Sequence, residues 1–437
     1  MIKKTILIPL IIMMIFIGTF LIVKKEDVIK SGNELSIFIT TDIHYVSRNL
    51  TDYGTAFDKY VNSSDGRHIV YIDEIVSAFS HDINRDKPDI VIISGDLTNN
   101  GEKEGHLDLS KKLKSMERDG TKVYVIPGNH DINNPWAVKF QGDETRKTES
   151  ISPEDFKEIY QDFGYREAIS KDNHSLSYLA KPSQDLWLLM LDTVKYSEIF
   201  GIATGEGEIS EETMKWIEKC SQLAKEQGAR ILTVMHHNLY NHSDILNKGY
   251  TLNNSEEILK LMKENDLNLT LSGHVHIQDI KSNQEQNPIY DIATSSLALN
   301  PVQYGVLKYK PKVGYEYLVQ EVDVEGWAKK EKLEDENLLH FSQYSKKQFE
   351  NRSYAMAIEQ LMSMGGHTEE DMKLMATTMS ELNSYYFSGN VNSIRENIIH
   401  SRGYSLWQNL EPNFLKEYVL SMSTKLSDDR SLIINFE

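Results

Sequence analysis

The sequence predicts a layered α/β fold followed by a helical segment, on three observations. Short apolar runs alternate with longer amphipathic stretches from Glu34 onward. Two later runs, 304–309 and 315–322, alternate apolar and polar positions, and after Gly326 the chain turns to charged segments of helical spacing. Strands alternating with helices imply sheets covered by helices.

The buried strands are expected, in order, at 36–40, 89–93, 122–126, 186–191, 230–235 and 267–271. Most are continuous and apolar, as strands covered on both faces are. Helices are expected between them at 68–84, 104–118, 210–227 and 255–265. In the last, Ser255 stands where an N-cap would, and Glu256 and Glu257 fall in the first turn, where the helix dipole favours acids. The runs 304–309 and 315–322 read as half-exposed antiparallel strands. Helical spacing then returns at 344–364, 369–382 and 412–426, with Gly365-Gly366 as a break. Tyr344, Phe349, Tyr354, Tyr385, Tyr386 and Phe387 are assigned to the core of this tail, which could shape or cover one side of the active site. The domains so drawn are an N-terminal segment 1–33, an α/β domain 34–327 and a helical domain 328–437.

Composition narrows the chemistry. The 437 residues carry a formal net charge of −18, so duplex nucleic acid is not an expected partner, and an anionic substrate needs bound cations to reverse the local field. Cys220 is the single cysteine, which excludes an intramolecular disulfide and a thiolate zinc site; it is expected in a helix, buried or half-buried. Residues 5–23 are almost wholly apolar and flanked by Lys3-Lys4 and Lys24-Lys25, long enough to span a bilayer and followed by no small-residue cleavage site. The reading is an uncleaved membrane anchor with an extracytoplasmic body; the alternative is secretion after signal cleavage. Oligomeric state has no signature in the sequence.

Five clusters carry the chemistry: Asp42 with His44, Gly95-Asp96, Gly128-Asn129-His130-Asp131, His236-His237, and Gly273-His274-Val275-His276. Four follow a predicted strand, at the rim where open α/β sheets collect ligands. Asp42 and His44, spaced i and i+2, would point the same way if the extended geometry persisted. Asp42, His44, Asp96, Asn129, His236, His274 and His276 offer hard and intermediate N/O donors, suited to two divalent ions sharing a carboxylate. Adjacent strand residues face opposite ways, so His236 and His237 are not expected both to be ligands. Asn238 and His242 lie in the following loop and could meet a leaving group; Asn99 and Asn100 could lie near a phosphate. Residues 205–208 read as a turn.

The set resembles the calcineurin-like metallophosphoesterases, over roughly residues 36–300. The resemblance implies a four-layer αββα sandwich of two mixed β-sheets, with the helical tail added. It implies a first ion held by Asp42, His44, Asp96 and His276, and a second held by Asp96, Asn129, His236 and His274, with Mn, Fe or Zn fitting equally. It makes His130 the histidine over the substrate phosphate and Asp131 its orienting partner. Asp96 is followed by Leu-Thr-Asn and lacks the tyrosine of purple acid phosphatases; the clusters are most similar to class III cyclic nucleotide phosphodiesterases. The expected activity is therefore a dinuclear metal-dependent phosphodiesterase acting on a small phosphoester, a cyclic nucleotide or related diester. A wall or lipid phosphodiesterase, a broad phosphomonoesterase and a non-catalytic scaffold are the alternatives.

Overall fold

The computed structural model describes residues 28–196 and 203–436. The apolar run 5–23 lies outside them, and among the described residues no helix is long and apolar enough to cross a membrane. The strands are β1 (Leu35–Thr40), β2 (Ile90–Ser94), β3 (Lys122–Ile126), β4 (Val138–Gln141), β5 (Glu144–Lys147), β6 (Ser170–Lys171), β7 (Tyr178–Ala180) and β8 (Leu186–Leu191). They continue with β9 (Arg230–Met235), β10 (Leu269–Ser272), β11 (Asp279–Ser282), β12 (Tyr290–Ala293), β13 (Gln303–Lys310), β14 (Gly314–Glu321) and β15 (Ser431–Asn435).

These strands form two mixed sheets and a small hairpin, β4-β5. One sheet runs β15-β14-β13-β1-β2-β3 and the other β11-β12-β10-β9-β8-β7-β6. Within them β1, β2 and β3 are parallel, as are β8, β9, β10 and β12, so each sheet has a rim where strand C-termini emerge together. The period of two along β8 shows how the layers stack. Leu188 and Met190 pack with Val234, Leu271, Ile92 and Val125 in the core that includes both sheets, while Leu189 and Leu191 pack outward on Ile217, Ala224 and Leu261. Those last three belong to the helices Glu211–Glu226 and Ser255–Glu264. The helices Ile72–Asp86 and Lys103–Met116 pack on the first sheet through Phe79, Ile83 and Leu109. The result is the αββα sandwich, with the helical tail beside it.

The differences in detail have local causes. Residues 69–71 form a separate 3-10 turn before the helix Ile72–Asp86. The helix Ser255–Glu264 starts one residue earlier than expected, with Asn254 at the N-cap, because the Asn254 side chain is bonded to Ile209 and ties the helix to the preceding loop. The helix Val324–Lys330, capped by Asp323 on the amide of Gly326, spans the expected boundary between 327 and 328, since Val324 and Ala328 pack into the main core. The helices Phe341–Met364, Glu369–Phe387, Arg402–Gln408 and Phe414–Met422 pack around a further core that also takes in Val275, Ile277 and Ala293, and the chain then returns as β15 to pair with β14. The tail is thus stitched into the first sheet at both ends.

Candidate metal centre

All five clusters begin within three residues of a strand end: β1 delivers Asp42, β2 Asp96, β3 Asn129, β9 His236 and β10 His274. The backbone there departs from extended geometry, contrary to the simple i, i+2 expectation. Asp42 (φ 50°), His44 (φ 47°), Asp96 (φ 47°), His274 (φ 67°) and His276 (φ 62°) are all left-handed. For residues with a Cβ this costs about 1–3 kcal/mol each, and the conformation persists only where neighbours enforce it. Part of that enforcement is visible: the Asp42 amide donates to the Gly95 carbonyl at 3.0 Å, the His44 amide to Asp96 at 3.0 Å, and the His274 amide to Asp42 Oδ2 at 2.9 Å. Gly128 must be glycine, since a Cβ there would lie 2.2 Å from the Asp96 amide and carboxylate.

Two groups of donors converge. In the first, His276 Nε2 lies 3.2 Å from Asp42 Oδ1 and 3.1 Å from His44 Nε2, and His44 Nε2 lies 3.8 Å from Asp96 Oδ2. In the second, His236 Nε2 lies 3.4 Å from Asp96 Oδ2 and 3.1 Å from Asn129 Oδ1, with the His274 imidazole in reach of the same point. Asp96 belongs to both groups. The arrangement fits a dinuclear metal site: electron-rich nitrogens and oxygens face one another in a buried space, and among the described residues Asp42 Oδ1 has no hydrogen-bond partner.

For His236 and His274, hydrogen bonds on the far side of the ring select the tautomer. His236 Nδ1 donates to the Ser94 carbonyl at 2.8 Å, leaving Nε2 for the centre. His274 uses Nε2 on the carbonyls of Gly249 (2.7 Å) and Gly205 (3.0 Å), leaving Nδ1. His237 spends both nitrogens, on Thr193 Oγ1 at 2.7 Å and the Gly205 carbonyl at 3.1 Å, so it stays outside the donor set. Burial, then the charge of neighbouring His236, holds the His274 imidazole down at about 4. Burial opposes charge on Asp96 too, but His236 and His130 outweigh it and keep the carboxylate well below its usual range.

His130 stands at the open side, with Nε2 3.9 Å from Asp96 Oδ2. Asp131 does not orient it, contrary to the sequence expectation. Both Asp131 oxygens are taken by the amides of Leu97 (3.1 Å), Thr98 (2.9 Å) and Gly128 (2.9 Å) and by Thr98 Oγ1 (3.0 Å). Chain geometry decides this: the 128–131 turn folds the carboxylate back under the loop that follows β2. The imidazole is aimed by the Asn99 carbonyl, 2.6 Å from Nδ1. The Asn99 side chain meets Tyr60 and Arg67, and that of Asn100 meets Tyr60. Asn238 bonds Ser272 and Gly273, and His242 lies buried between Asp279 and Asp291, so neither faces a leaving group. Cys220 is buried, as expected, and burial pushes its thiol up to about 12.

The donors open into a cleft of ≈ 660 Å³, lined also by Asp65, Thr204, Glu206, Lys248 and Tyr250. The segment around 205, read from sequence as a simple turn, thus forms a wall of the site. Asp65, gripped by Arg67 Nε at 2.8 Å, lies 3.8 Å from His276 Nδ1. No spacing signal marks these residues, which come from loops far apart in sequence. A second hollow of ≈ 500 Å³ lies at the N-terminal ends of β9 and β10, beside Arg230 and Phe436, and holds none of the five clusters.

Residues 35–278 match the calcineurin-like phosphoesterase family, and residues 323–429 match a region described as the C-terminal domain of cyclic nucleotide phosphodiesterase. The chain is 28% identical over 195 residues to a probable glycerophosphodiester phosphodiesterase of Arcobacter nitrofigilis, covering 44% of this chain and 57% of that one. It is 22% identical over 188 residues to a probable cyclic nucleotide phosphodiesterase of Xenorhabdus bovienii, covering 43% of this chain and 61% of that one. The matched parts span about three fifths of each relative. A dimetal phosphatase from Danio rerio shares 14% identity at a TM-score of 0.45, covering 65% of this chain and 95% of that one. Because the family match covers more than half of the 437 residues and includes all five clusters, the protein belongs to the calcineurin-like phosphoesterase family.

Proposed function

We propose that the protein is a dinuclear metal-dependent phosphodiesterase whose substrate is a cyclic nucleotide or a related small phosphodiester. The observation that carries this reading is the pair of donor groups joined at Asp96, with His130 left over on the open side. Asp42, His44, Asp96 and His276 would hold one divalent ion, and Asp96, Asn129, His236 and His274 the other, with Mn, Fe or Zn suited to these donors. Such ions supply Lewis acidity toward phosphoryl oxygens and lower the pKa of a bound water. His130, aimed by the Asn99 carbonyl, presents Nε2 to the substrate side, where it can steady the phosphoryl group or hand a proton to the leaving oxygen.

Every donor position of the family pattern is filled, which speaks against a non-catalytic scaffold. The names of both curated relatives, and of the region matched at 323–429, favour a diester over a monoester. The apolar run 5–23 supports an extracytoplasmic protein anchored through its N-terminus, and that placement favours a second substrate class, wall or lipid phosphodiesters.

The test is hydrolysis by metal-reconstituted protein of bis-p-nitrophenyl phosphate, p-nitrophenyl phosphate and cyclic AMP, with Asp96→Ala as control. Diester turnover that disappears in the control is expected. Activity confined to the monoester would overturn the diesterase reading, and no activity with any metal would return the scaffold.

A further inference from the structure

The helical segment grips the chain where the last two donor histidines stand. Val275 sits between His274 and His276, and its side chain does not share their direction. Val275 and Ile277 are buried in the hydrophobic core of the helical segment, with Leu361, Met375, Met379 and Val419. The hold continues at Gln278, which is 1% exposed. Its amide donates to the Phe387 carbonyl at 3.1 Å, its Nε2 donates to the Asp429 carbonyl at 2.8 Å, and its Oε1 accepts from Tyr317 at 3.1 Å. Gly389 fits against it so closely that a Cβ there would lie 2.8 Å from Gln278 Cγ. Tyr250, whose ring centroid is 5.1 Å from that of His274, packs on the same core.

This grip answers a physical need. His274 and His276 both have left-handed backbones, and a β-branched valine lies between them. Such strained residues persist only where the surroundings over-determine them. On the centre's side the constraint is the bond from the His274 amide to Asp42 Oδ2; on the opposite side it is the helical core closing on Val275 and Ile277. We propose that the helical segment is a structural part of the metal centre, with Val275 as the positioning residue through which its core holds His274 and His276 in donor geometry. This rests on the metal-binding part of the proposed function and not on the substrate.

The test compares the full-length protein with Val275→Ala, and with Leu109→Ala as a variant of the main core chosen for a similar fall in Tm. Two quantities are read: Mn²⁺ affinity by calorimetry, and amide hydrogen exchange of residues 274–278 in metal-free protein. Val275→Ala is expected to weaken Mn²⁺ binding by about 10-fold, the low end for partners that orient metal ligands, and to speed exchange at Gln278, while Leu109→Ala does neither. Unchanged affinity and exchange in Val275→Ala, or equal losses in Leu109→Ala, would overturn the proposal alone. Failure of the unaltered protein to bind Mn²⁺ would overturn the metal centre together with it. If Val275→Ala does not fold, Ile277→Val removes a single methyl from the same core and is judged by the same outcomes.

Discussion

His130 Nδ1 lies 2.6 Å from the backbone carbonyl of Asn99, so the imidazole is aimed by the main chain and not by the carboxylate next to it in sequence. Nδ1 donates to that carbonyl, so Nε2 faces the open side of the centre, where only the imidazolium form has a second proton to give. Replacing His130 with alanine should lower turnover by about 10²–10⁴-fold, the range for a lost general acid or base, and leave metal content unchanged. Metal analysis beside steady-state kinetics checks this; equal loss of both would make His130 part of the metal-binding set.

Asp131 has a different expected phenotype. It accepts four hydrogen bonds from the loops after β2 and β3, and its burial makes each one costly to lose. Asp131→Asn places an amide against donors and should destabilise the fold by about 3–5 kcal/mol, with the fall in activity following the folded fraction. Urea denaturation measures it. A variant as stable as the parent but slow in turnover would give Asp131 a direct role after all.

Asp96 is common to both donor groups, so its loss should differ from the loss of a residue in only one. Asp96→Ala is expected to abolish binding of both ions, and Asn129→Ala to weaken one. Mn²⁺ at a hundred times its Kd should stabilise the unaltered protein by about 2.7 kcal/mol for each ion bound and the Asp96→Ala variant not at all. Thermal unfolding with and without Mn²⁺, followed by chelation, reads the difference.

Away from the centre, His242 makes stability depend on pH. Burial alone would discharge the imidazole, but Asp291 and Asp279 outweigh it and raise its pKa from 6.5 to about 9. Lys425, from the helical segment, also pairs with Asp279, so the cluster bridges the two parts of the chain. Because the folded value is the higher one, the stabilisation is complete below pH 6.5 and is lost as pH rises through 9, amounting to about 3 kcal/mol. Urea midpoints should therefore fall across that window, and His242→Gln should flatten the fall. A parent profile as flat as that of the variant would remove His242 from the account.

How much was legible in the sequence depends on how local the signal was. The runs at β3, β8 and β9 matched residue for residue, because a strand covered on both faces reads as a near-continuous apolar run, and a Lys or Arg marks where β3 and β9 begin. The short strands β6, β7, β11 and β12 were not foreseen, nor was β15, whose exposure alternates and whose apolar residues fell beside a helical tail. Asp65 and Arg67 carry no spacing pattern, so only folding brings them beside His276.

By itself the sequence determined the alternation of strands and helices and marked the five clusters from which the candidate donors come, because apolar runs and ligand chemistry are properties of residues in order. Tertiary structure alone decided that Asp96 joins two groups, that the Asn99 carbonyl and not Asp131 aims His130, and that Val275 turns away from its neighbours into the helical core. Those relationships join segments up to more than a hundred residues apart, and they depend on left-handed backbone at the strand ends, which no periodicity in the chain encodes.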